Sequence, residues 1–358
     1  MNKTGEKMYI KNIKVENFRN YEKEEIQFSK NINVIYGDNA QGKTNILESI
    51  FLCAFGKSFR TLKEKEIINK EKNYSIIETE YSKKDRDGKI KIRLSDKKEV
   101  FINGLKIKKL SELLGNMNIV IFTPEDMEIL KDGPQKRRRF LDMMIGQLRV
   151  NYVYNLNMYL KTLEQRNNYL KTRNINNQML DIWDEKLAEY GYKIYQYRNE
   201  FIEKIKQKIT NIHKEITNEE ISIIYKSDCR IKEKYLEELR KNREIDKIKG
   251  FTSRGIHKDD FSILINGEDV RIYGSQGQNR TSILSLKLSE LQVIYDEIGE
   301  YPILLLDDFM SELDEKRIKN FLQNIQNIQV IITCTRDIRI NNSKSFNVIK
   351  GKIFENKT

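Results

Sequence analysis

The chain carries the pattern Gly-x-x-x-x-Gly-Lys-Thr in the stretch Gly37-Asp38-Asn39-Ala40-Gln41-Gly42-Lys43-Thr44. An apolar run at 32–36 before it predicts a buried strand, and the segment 45–55 after it predicts a helix that stops at Gly56. The predicted buried face of that helix consists of Ile46, Leu47, Ile50, Phe51 and Ala54. Because phosphate-binding loops lie between a strand and a helix in this way, the stretch predicts an α/β fold that binds ATP or GTP.

The residue types of this loop suit a phosphate chain. Gly37 and Gly42 let the backbone curl so that successive N–H groups face an anion, and the following helix adds the positive end of its dipole. In such loops the lysine, here Lys43, reaches the β- and γ-phosphates, and the hydroxyl, here that of Thr44, ligates Mg²⁺. The alternative is a glycine-containing turn without a ligand, which the flanking strand and helix disfavour.

Composition narrows the class of protein. At 358 residues with 39% hydrophobic residues, the chain is long enough for two domains or for one domain with an insertion. Lys and Arg number 65 against 53 Asp and Glu, and the net charge of +12 favours a polyanionic partner. Three distant cysteines predict reduced thiols in the cytoplasm, and two histidines are too few for a zinc cluster. The sequence contains no apolar stretch of about 18 residues, so neither a membrane span nor an export signal is predicted.

The first third of the chain reads as strands, and the middle reads as helices. The predicted strands cover 8–15, 25–28, 32–36, 75–81, 89–94 and 99–102, with turns at Asp87-Gly88 and Asn103-Gly104. From Pro134 to about Asn218, apolar residues recur at helical spacing on both sides of a polar joint at 172–178. The predicted stripes are Val153, Leu156, Leu160, Leu163 and Leu170, then Trp183, Leu187, Tyr190, Ile194, Tyr197 and Phe201. They predict two long antiparallel helices that form an arm.

The last third returns to alternating strands and helices. The segments 261–265 and 270–273 predict a hairpin around Asn266-Gly267, followed by a helix at 276–296. The apolar run 302–306 predicts a central parallel strand, and 315–325 and 329–333 predict a further helix and strand.

The apolar run 302–306 ends in two carboxylates, and it completes a nucleotide site. Such a strand can place Asp307 beside Mg²⁺ and Asp308 near an attacking water. A core strand capped by a solvated Asp pair is the alternative. Because Thr44 and Asp307 are far apart in the sequence, the site is expected to be interrupted by the helical arm.

A second anion seat is predicted at the start of the helix 276–296. Ser275 can cap that helix while its free N–H groups point outward. Since the phosphate loop already cradles a triphosphate, this seat suits a γ-phosphate presented by another subunit. The residues concerned are Ser275, Gln276, Gly277 and Gln278. An ordinary helix cap after a hairpin remains the alternative.

Taken together, these motifs resemble the ABC-type ATPases of the SMC and Rad50 group, and within that group the RecF family. The similarity extends over nearly the whole chain from Met8. The similarity includes the phosphate loop and residues 275–278, which resemble the signature motif of these ATPases. It is also carried by Glu16-Asn17-Phe18-Arg19-Asn20-Tyr21, Phe122-Thr123-Pro124-Glu125-Asp126, Gly133-Pro134, Arg137-Arg138-Arg139-Phe140-Leu141-Asp142, Asp307-Asp308 and Ser311-Glu312-Leu313-Asp314.

The resemblance implies roles for particular residues. Arg19 would contact nucleotide, 275–278 would engage ATP across a dimer, and 311–314 would link the two sites. Asp308 would be the base in place of the more usual Glu, which implies slow hydrolysis, and Lys43 would assist it. Thr333 or Thr335 would sense the γ-phosphate. The segment 255–261 departs from the family's Gly-Pro-His-Arg pattern, and a plain turn is expected there.

A basic run after Gly133-Pro134 marks a candidate DNA contact. Its positive charges oppose the dipole of the predicted helix, so they need a compensating anion. Carboxylates such as Asp132 and Asp142, or a nucleic-acid phosphate, would both serve. The candidates are Lys136, Arg137, Arg138 and Arg139. Near the arm tip, Lys161, Arg166, Lys171 and Arg173 are expected to form a solvated charged face. Any DNA contact should be to the backbone, because no base-reading motif is evident.

The sequence therefore predicts an ABC-type P-loop ATPase head with mixed β-sheets and an inserted α-helical arm. The expected division is 1–130 and 250–358 for the head and 131–249 for the arm. ATP and Mg²⁺ would drive head-to-head dimerisation on gapped or duplex DNA, and slow, DNA-stimulated hydrolysis would release it. The resemblance adds recombinational repair, the SOS response and the mediator proteins RecO and RecR. The alternatives are a phosphoryl-transfer enzyme acting on a small metabolite and an ABC subunit of a membrane transporter.

Overall fold

The structure is a computed structural model that describes residues 7–84, 86–308, 327–338 and 340–356. Its strands are β1 (Tyr9–Phe18), β2 (Tyr21–Gln27), β3 (Ile32–Tyr36), β4 (Ser75–Lys83), β5 (Arg86–Leu94), β6 (Glu99–Ile102), β7 (Leu105–Lys106), β8 (Ile119–Phe122), β9 (Ile221–Lys226), β10 (Asp260–Ile265), β11 (Glu268–Asp269), β12 (Ile303–Asp307), β13 (Val330–Cys334), β14 (Ser343–Ile349) and β15 (Lys352–Glu355). Its α-helices are α1 (Lys43–Phe55), α2 (Glu128–Lys131), α3 (Pro134–Gly146), α4 (Val150–Tyr169), α5 (Asn177–Ile216), α6 (Lys232–Lys241), α7 (Arg243–Lys249), α8 (Val270–Tyr273) and α9 (Gln276–Ile298).

The chain divides into two compact units. Unit 1 contains Met1–Asp126 and Glu290–Thr358, and unit 2 is the single segment Met127–Ser289 between them. The division corrects the expected boundary at residue 250. β10 and β11 follow that residue, but they pair with β9 in one sheet, so hydrogen bonds hold them in the helical unit.

Unit 1 contains two six-stranded sheets. The antiparallel sheet has the order β2-β1-β4-β5-β6-β7, and the mainly parallel sheet has the order β15-β14-β3-β13-β12-β8. In the parallel sheet β12 lies between β13 and β8, which confirms the central position predicted from its wholly apolar sequence. The turn at Asn103-Gly104 is confirmed, because both residues have positive φ, the geometry that joins two strands most tightly.

Helix α1 packs against strands of both sheets of unit 1. Its contacts include β1 and β4 of the antiparallel sheet and β12 and β13 of the parallel one. As a result Phe51, Leu52 and Cys53 are all buried, on different sides of the helix. The prediction of a single buried face was therefore too narrow, since a helix enclosed on all sides is apolar all round. The stop at Gly56 is confirmed by its left-handed φ of 67° and its N–H bond to the Leu52 carbonyl.

Unit 2 is built on the antiparallel pair α4 and α5, which contact each other along their length. The polar joint predicted at 172–178 is confirmed, because α4 ends at Tyr169 and α5 begins at Asn177. The buried face of α4 differs from the predicted leucine stripe: Leu160 is exposed, whereas Tyr159 and Arg166 are fully buried. This face packs on buried polar side chains of other elements, which the spacing of apolar residues in the sequence does not reveal.

Two further local predictions are corrected by the structure. Asp87 and Gly88 lie inside β5, paired with Ser82 and Tyr81, so the predicted turn falls before them. The segment Val270–Tyr273 is a single helical turn rather than a strand, because the Asp269 carboxylate accepts a bond from the Arg271 N–H and starts a helix. The predicted helix at 315–325 lies outside the described residues.

Candidate functional site

Three neighbouring parallel strands of unit 1 bring the site together at their carboxyl ends. β13 lies between β3, which leads into the phosphate loop, and β12, which ends in Asp307. In register, Asp307 is opposite Thr333, and Thr333 is opposite Ile35. Carboxyl ends of parallel strands are where α/β sheets bind ligands, so the loop and the carboxylate meet at one edge.

The phosphate loop adopts the curled backbone predicted from its glycines. Gly37 has φ 150° and Gly42 has φ 119°, and Ala40 between them is also left-handed at 63°. A Cβ on Gly37 would lie 2.4 Å from the carbonyl oxygen of Val348, so no side chain fits there. Helix α1 begins directly at Lys43, which leaves its first N–H groups available to an anion.

The two ends of the site meet in one hydrogen bond. Thr44 Oγ1 donates to Asp307 Oδ1 over 2.8 Å. Lys43 Nζ is tucked into the loop, where it donates to the carbonyl oxygens of Gly37 at 2.7 Å and Asp38 at 2.8 Å. The structure thus brings together Lys43, Thr44 and Asp307, which the sequence had assigned to one ATP site.

Thr333 connects the Asp307 carboxylate to the backbone of Asp308. Its hydroxyl donates to Asp307 Oδ1 at 2.7 Å and accepts the Asp308 N–H at 3.0 Å. Asp308 has a left-handed φ of 48°, a conformation that a non-glycine residue holds only when its neighbours fix it. Of the two proposed sensor residues, Thr333 lines the nucleotide cleft, whereas Thr335 is exposed.

These groups line an open cleft of about 370 Å³. The lining residues are Asn39, Ala40, Gly42, Lys43, Thr44, Asn45, Arg60, Asp307, Asp308 and Thr333. Arg60 was missed by sequence reasoning, because its position depends on the fold of the loop after α1. Its guanidinium donates to Asn45 Oδ1 at 2.7 Å and lies 3.4 Å from a Glu48 oxygen.

Arg19 is held by an ion pair with helix α1. Its guanidinium makes a two-pronged ion pair with the fully buried Glu48, at 2.9 and 2.6 Å, and donates to the Glu66 carbonyl at 2.6 Å. Arg19 therefore joins the β1–β2 turn to α1 behind the cleft. Its contact with nucleotide remains a prediction.

The donor set of the cleft fits magnesium. Thr44 and Asp307 offer a hydroxyl and a carboxylate oxygen, the hard ligands that Mg²⁺ prefers. Among the described residues no group of three or more His, Cys, Asp or Glu side chains could hold a metal ion. Mg²⁺ is usually bound by one or two carboxylates together with substrate phosphates and water.

The signature segment of unit 2 forms a reciprocal helix cap. Gln278 N–H donates to Ser275 Oγ at 3.2 Å, and the Gln278 side-chain oxygen accepts the Ser275 N–H at 2.9 Å. The predicted cap by Ser275 is thus present, while Ser275 and Gln276 are exposed. Just before the cap, Ile272 and Tyr273 are also exposed, at 70% and 68%. The linking loop 311–314 lies outside the described residues.

Only part of the basic run of α3 is accessible to a partner. Arg137 is 2% exposed; it pairs with Asp260 at 2.5 Å and donates to the carbonyls of Ile129 and Asp132 at 2.8 Å. Its assignment as a DNA contact is therefore wrong: the partly buried Asp260 carboxylate and two carbonyls at the end of α2 supply the compensating negative charge.

The other members of the basic run lie nearer the surface. Lys136 pairs with Glu128, and Arg138 donates to the Asp259 carbonyl at 2.7 Å. Burial, and then the charge of Arg198, lower the pKa of Arg138. The three partly exposed members are Lys136, Arg138 and Arg139.

Arg166 is a second cation that the structure removes from the surface. It is fully buried and pairs with Asp184 at 2.7 Å and Asp246 at 2.8 Å, which joins α4, α5 and α7. The solvated face predicted for the arm tip therefore excludes this residue.

The segment 255–261 is more than a plain turn. His257 Nδ1 lies 2.8 Å from the Tyr159 hydroxyl, and its Nε2 lies 2.9 Å from the Thr252 carbonyl. Burial lowers the pKa of His257 to about 4, so Nε2 carries the proton and Nδ1 accepts one from tyrosine. Gly255 is required here, because a Cβ would lie 2.1 Å from the Tyr235 hydroxyl.

The fold and site define the chain as an ABC-type P-loop ATPase head. The family model described as "RecF/RecN/SMC N terminal domain" matches residues 9–355. Relatives named DNA replication and repair protein RecF are 45% identical in Clostridium beijerinckii, covering 97% of this chain and 98% of the relative, and 43% identical in Alkaliphilus oremlandii, covering 97% and 100%. The chain belongs to the RecF family.

Solved structures agree with this assignment. A structure described as the recombination mediator protein RecF-ATP in the RecFOR pathway is 40% identical, covers 100% of both chains and has a TM-score of 0.94. An Smc head bound to the C-winged helix domain of ScpA is 17% identical, covers 97% of both chains and has a TM-score of 0.59, which shows a shared fold.

Proposed function

We propose that this chain is an ATP-dependent DNA-binding protein of recombinational repair and replication-fork maintenance. The observation that carries the proposal is the bonded series Thr44–Asp307–Thr333 at the mouth of the phosphate loop. Membership of the RecF family and likeness to a RecF–ATP structure support ATP as the nucleotide. By the same likeness, the chain acts in the RecFOR pathway with RecO and RecR and supports the SOS response.

The residues of the cleft divide the work of binding and hydrolysis. Backbone N–H groups of Gly42, Lys43 and Thr44 cradle the phosphates, and Lys43 leaves its loop carbonyls to bind the β- and γ-phosphates. Thr44 and Asp307 would hold Mg²⁺, which would supply positive charge to the phosphates. Asp308 orients the attacking water and accepts its proton, and Thr333 holds Asp308 in place.

Hydrolysis is proposed to be slow and stimulated by DNA. Aspartate has one methylene fewer than glutamate, so Asp308 reaches less far toward a water. A catalytic group displaced by 1 Å costs about 100-fold in rate, which accounts for weak turnover. ATP then serves as a switch for binding more than as a source of covalent chemistry.

Dimerisation is proposed to place the signature of one protomer over the ATP of another. The exposed cap at Ser275, with the helix N-terminus behind it, is suited to a γ-phosphate. DNA would be held by its backbone, with Lys136, Arg138 and Arg139 as candidate contacts. The buried free thiols Cys53, Cys229 and Cys334 fit a reducing cytoplasm. Among the described residues no helix has the length and apolarity to cross a membrane.

Light scattering with size exclusion tests the switch. With ATP and Mg²⁺, the wild-type protein should dimerise, whereas Lys43→Arg and Ser275→Arg should stay monomeric. Ser95→Arg is the matched control, because it adds the same charge at an exposed turn of unit 1. Normal dimerisation of Ser275→Arg would show that the signature does not close the site.

A hydrolysis assay with and without DNA separates the proposal from its alternatives. DNA-stimulated hydrolysis without a small-molecule acceptor is expected here. A metabolite kinase would instead require a small-molecule acceptor, and the hydrolysis rate of a transporter subunit would not change with DNA. Binding to gapped and duplex DNA should weaken steeply as salt rises, because backbone contacts release counterions.

A further inference from the structure

The carbonyl groups of the phosphate loop are anchored by side chains from a distant turn. Asn20 Nδ2 donates to the Gln41 carbonyl at 2.7 Å, and the Tyr21 hydroxyl donates to the Gly42 carbonyl at 3.0 Å. Asn20 lies in the β1–β2 turn, Tyr21 is the first residue of β2, and neither lines the nucleotide cleft. The loop is thus held by donors from two consecutive residues outside the cleft.

The Asn20 amide has one orientation. Its oxygen accepts a bond from the side-chain amide of Asn45 at 2.7 Å, so its NH₂ group must face Gln41. Tyr21 is fully buried, and burial raises the pKa of its hydroxyl, which therefore keeps its proton and donates. Both groups are fixed as donors.

A second turn, packed beside the first, holds the same loop. The Gly351 N–H donates to the Gln41 carbonyl at 3.2 Å, and the Lys350 N–H donates to the Gln41 side-chain oxygen at 2.5 Å. This β14–β15 turn is packed tightly on Asn20, because a Cβ on Gly351 would lie 2.4 Å from the Asn20 carbonyl oxygen. The two turns together clamp Gln41.

Anchored carbonyls determine where the next N–H groups point. A peptide unit is planar and trans, so the C=O of one residue and the N–H of the following residue point in opposite directions. A fixed Gln41 carbonyl therefore aims the N–H of Gly42, and a fixed Gly42 carbonyl aims the N–H of Lys43. These N–H groups belong to the start of α1, where the helix itself leaves them without partners and an anion can bind them.

The contact with Gly42 is close enough to act on its backbone. A Cβ on Gly42 would lie 2.7 Å from Asn20 Nδ2 and 2.9 Å from the Tyr21 oxygen, so both side chains touch the Cα region directly. Gly42 has φ 119°, and glycine is the residue least able to hold one backbone conformation by itself. Its carbonyl also accepts the Asn45 N–H at 2.9 Å, so the start of α1 and the two side chains hold its conformation together.

We infer that Asn20 and Tyr21 are positioning residues that aim the N–H groups of Gly42 and Lys43 into the cleft, and so determine the affinity of the loop for a nucleotide's phosphates. The β14–β15 turn assists them by holding Gln41. The inference rests on the proposed nucleotide site. It extends that site to residues that touch no substrate and act only through the peptide units of the loop.

Calorimetric titration with ATP and ADP tests this inference. Tyr21→Phe removes one neutral hydrogen bond, and affinity for both nucleotides should fall about fivefold. Asn20→Ala, at an exposed position that tolerates truncation, should give a similar loss. Both nucleotides should be affected equally, since backbone N–H groups of such loops cradle the α- and β-phosphates.

A matched control separates positioning from loss of stability. Tyr74→Phe also removes a tyrosine hydroxyl bond in unit 1, to Glu16 at 2.5 Å, but away from the loop. Its nucleotide affinity should equal that of wild type. Thermal unfolding without nucleotide should differ little between the two tyrosine variants.

Lys43→Ala distinguishes failure of the inference from failure of the site. If Lys43→Ala loses ATP but Tyr21→Phe and Asn20→Ala bind as tightly as Tyr74→Phe, the positioning role is refuted and the site stands. If Lys43→Ala binds ATP like wild type, the nucleotide site itself is wrong.

Discussion

Thr333→Val is the most informative single change in this site, because it removes one hydroxyl and keeps the shape of the side chain. That hydroxyl donates to the Asp307 carboxylate at 2.7 Å and accepts the Asp308 N–H at 3.0 Å. A hydrogen bond to a charged group contributes about 2 kcal/mol, and an orphaned N–H costs about 1 kcal/mol or more. The free energy of unfolding should therefore fall by about 3 kcal/mol.

The effect on hydrolysis should exceed the effect on binding. Asp308 has a left-handed φ, so without the Thr333 oxygen its backbone can relax and carry the carboxylate away from the attacking water. A displacement of this kind lowers the hydrolysis rate about 10- to 100-fold. ATP affinity should change less, because Lys43 and the loop N–H groups are intact.

The assay pairs urea denaturation with steady-state hydrolysis in the presence of DNA. Thr79→Val is the control, since Thr79 is also fully buried in unit 1 and donates to the Asn12 carbonyl at 2.8 Å. It should lose about 1 kcal/mol of stability and hydrolyse ATP like wild type. Thr333→Ser keeps the hydroxyl and should recover most of the rate. Equal hydrolysis by Thr333→Val and Thr79→Val would refute the reasoning.

Three further outcomes are expected. Arg137→Ala should lower the free energy of unfolding by about 1–3 kcal/mol, measured by urea denaturation, because it removes the buried guanidinium that bonds Asp260 and the carbonyls of Ile129 and Asp132; a loss of DNA affinity with unchanged stability would contradict this. Stability should decline as pH falls from 6.5 toward 4, because His257 takes up a proton in the unfolded chain, whereas in the folded state its pKa is lowered to about 4 and it stays neutral beside Tyr159; His257→Gln should weaken this decline in thermal unfolding at each pH. Phe51→Ala should lower the free energy of unfolding by about 3–5 kcal/mol in urea denaturation, since Phe51 is enclosed between the two sheets of unit 1; a loss below 1 kcal/mol would show that the surrounding side chains fill the cavity.

The residues of the nucleotide site were predictable where the chemistry is local. The phosphate loop lies within eight consecutive residues between a strand and a helix, so its backbone geometry and the roles of Lys43 and Thr44 follow from short-range rules. Asp307 was predictable for a similar reason, because a wholly apolar strand that ends in a carboxylate is typical of a central strand that carries a Mg²⁺ ligand.

The errors came from positions whose partners are distant in sequence. Arg137 reads as a surface cation in a basic run, and only the fold brings Asp260 to it. Leu160 fits the predicted apolar stripe but is exposed, whereas Tyr159 and Arg166 on another face of the helix are buried. In each case a buried polar partner from another element decides which face is covered, and helical periodicity carries no record of that partner.

By itself the sequence determined the class of protein, the nucleotide loop and the pair of carboxylates, because each is encoded in contiguous residues whose spacing is fixed by backbone geometry. The tertiary structure alone decided that β13 separates β3 from β12, which makes Thr333 the link between the Asp307 carboxylate and the Asp308 backbone N–H. It also decided that Asn20 and Tyr21 hold the loop from outside the cleft. Strand order and the hydrogen bonds between distant segments depend on which segments pack together, and that outcome is a property of the whole core.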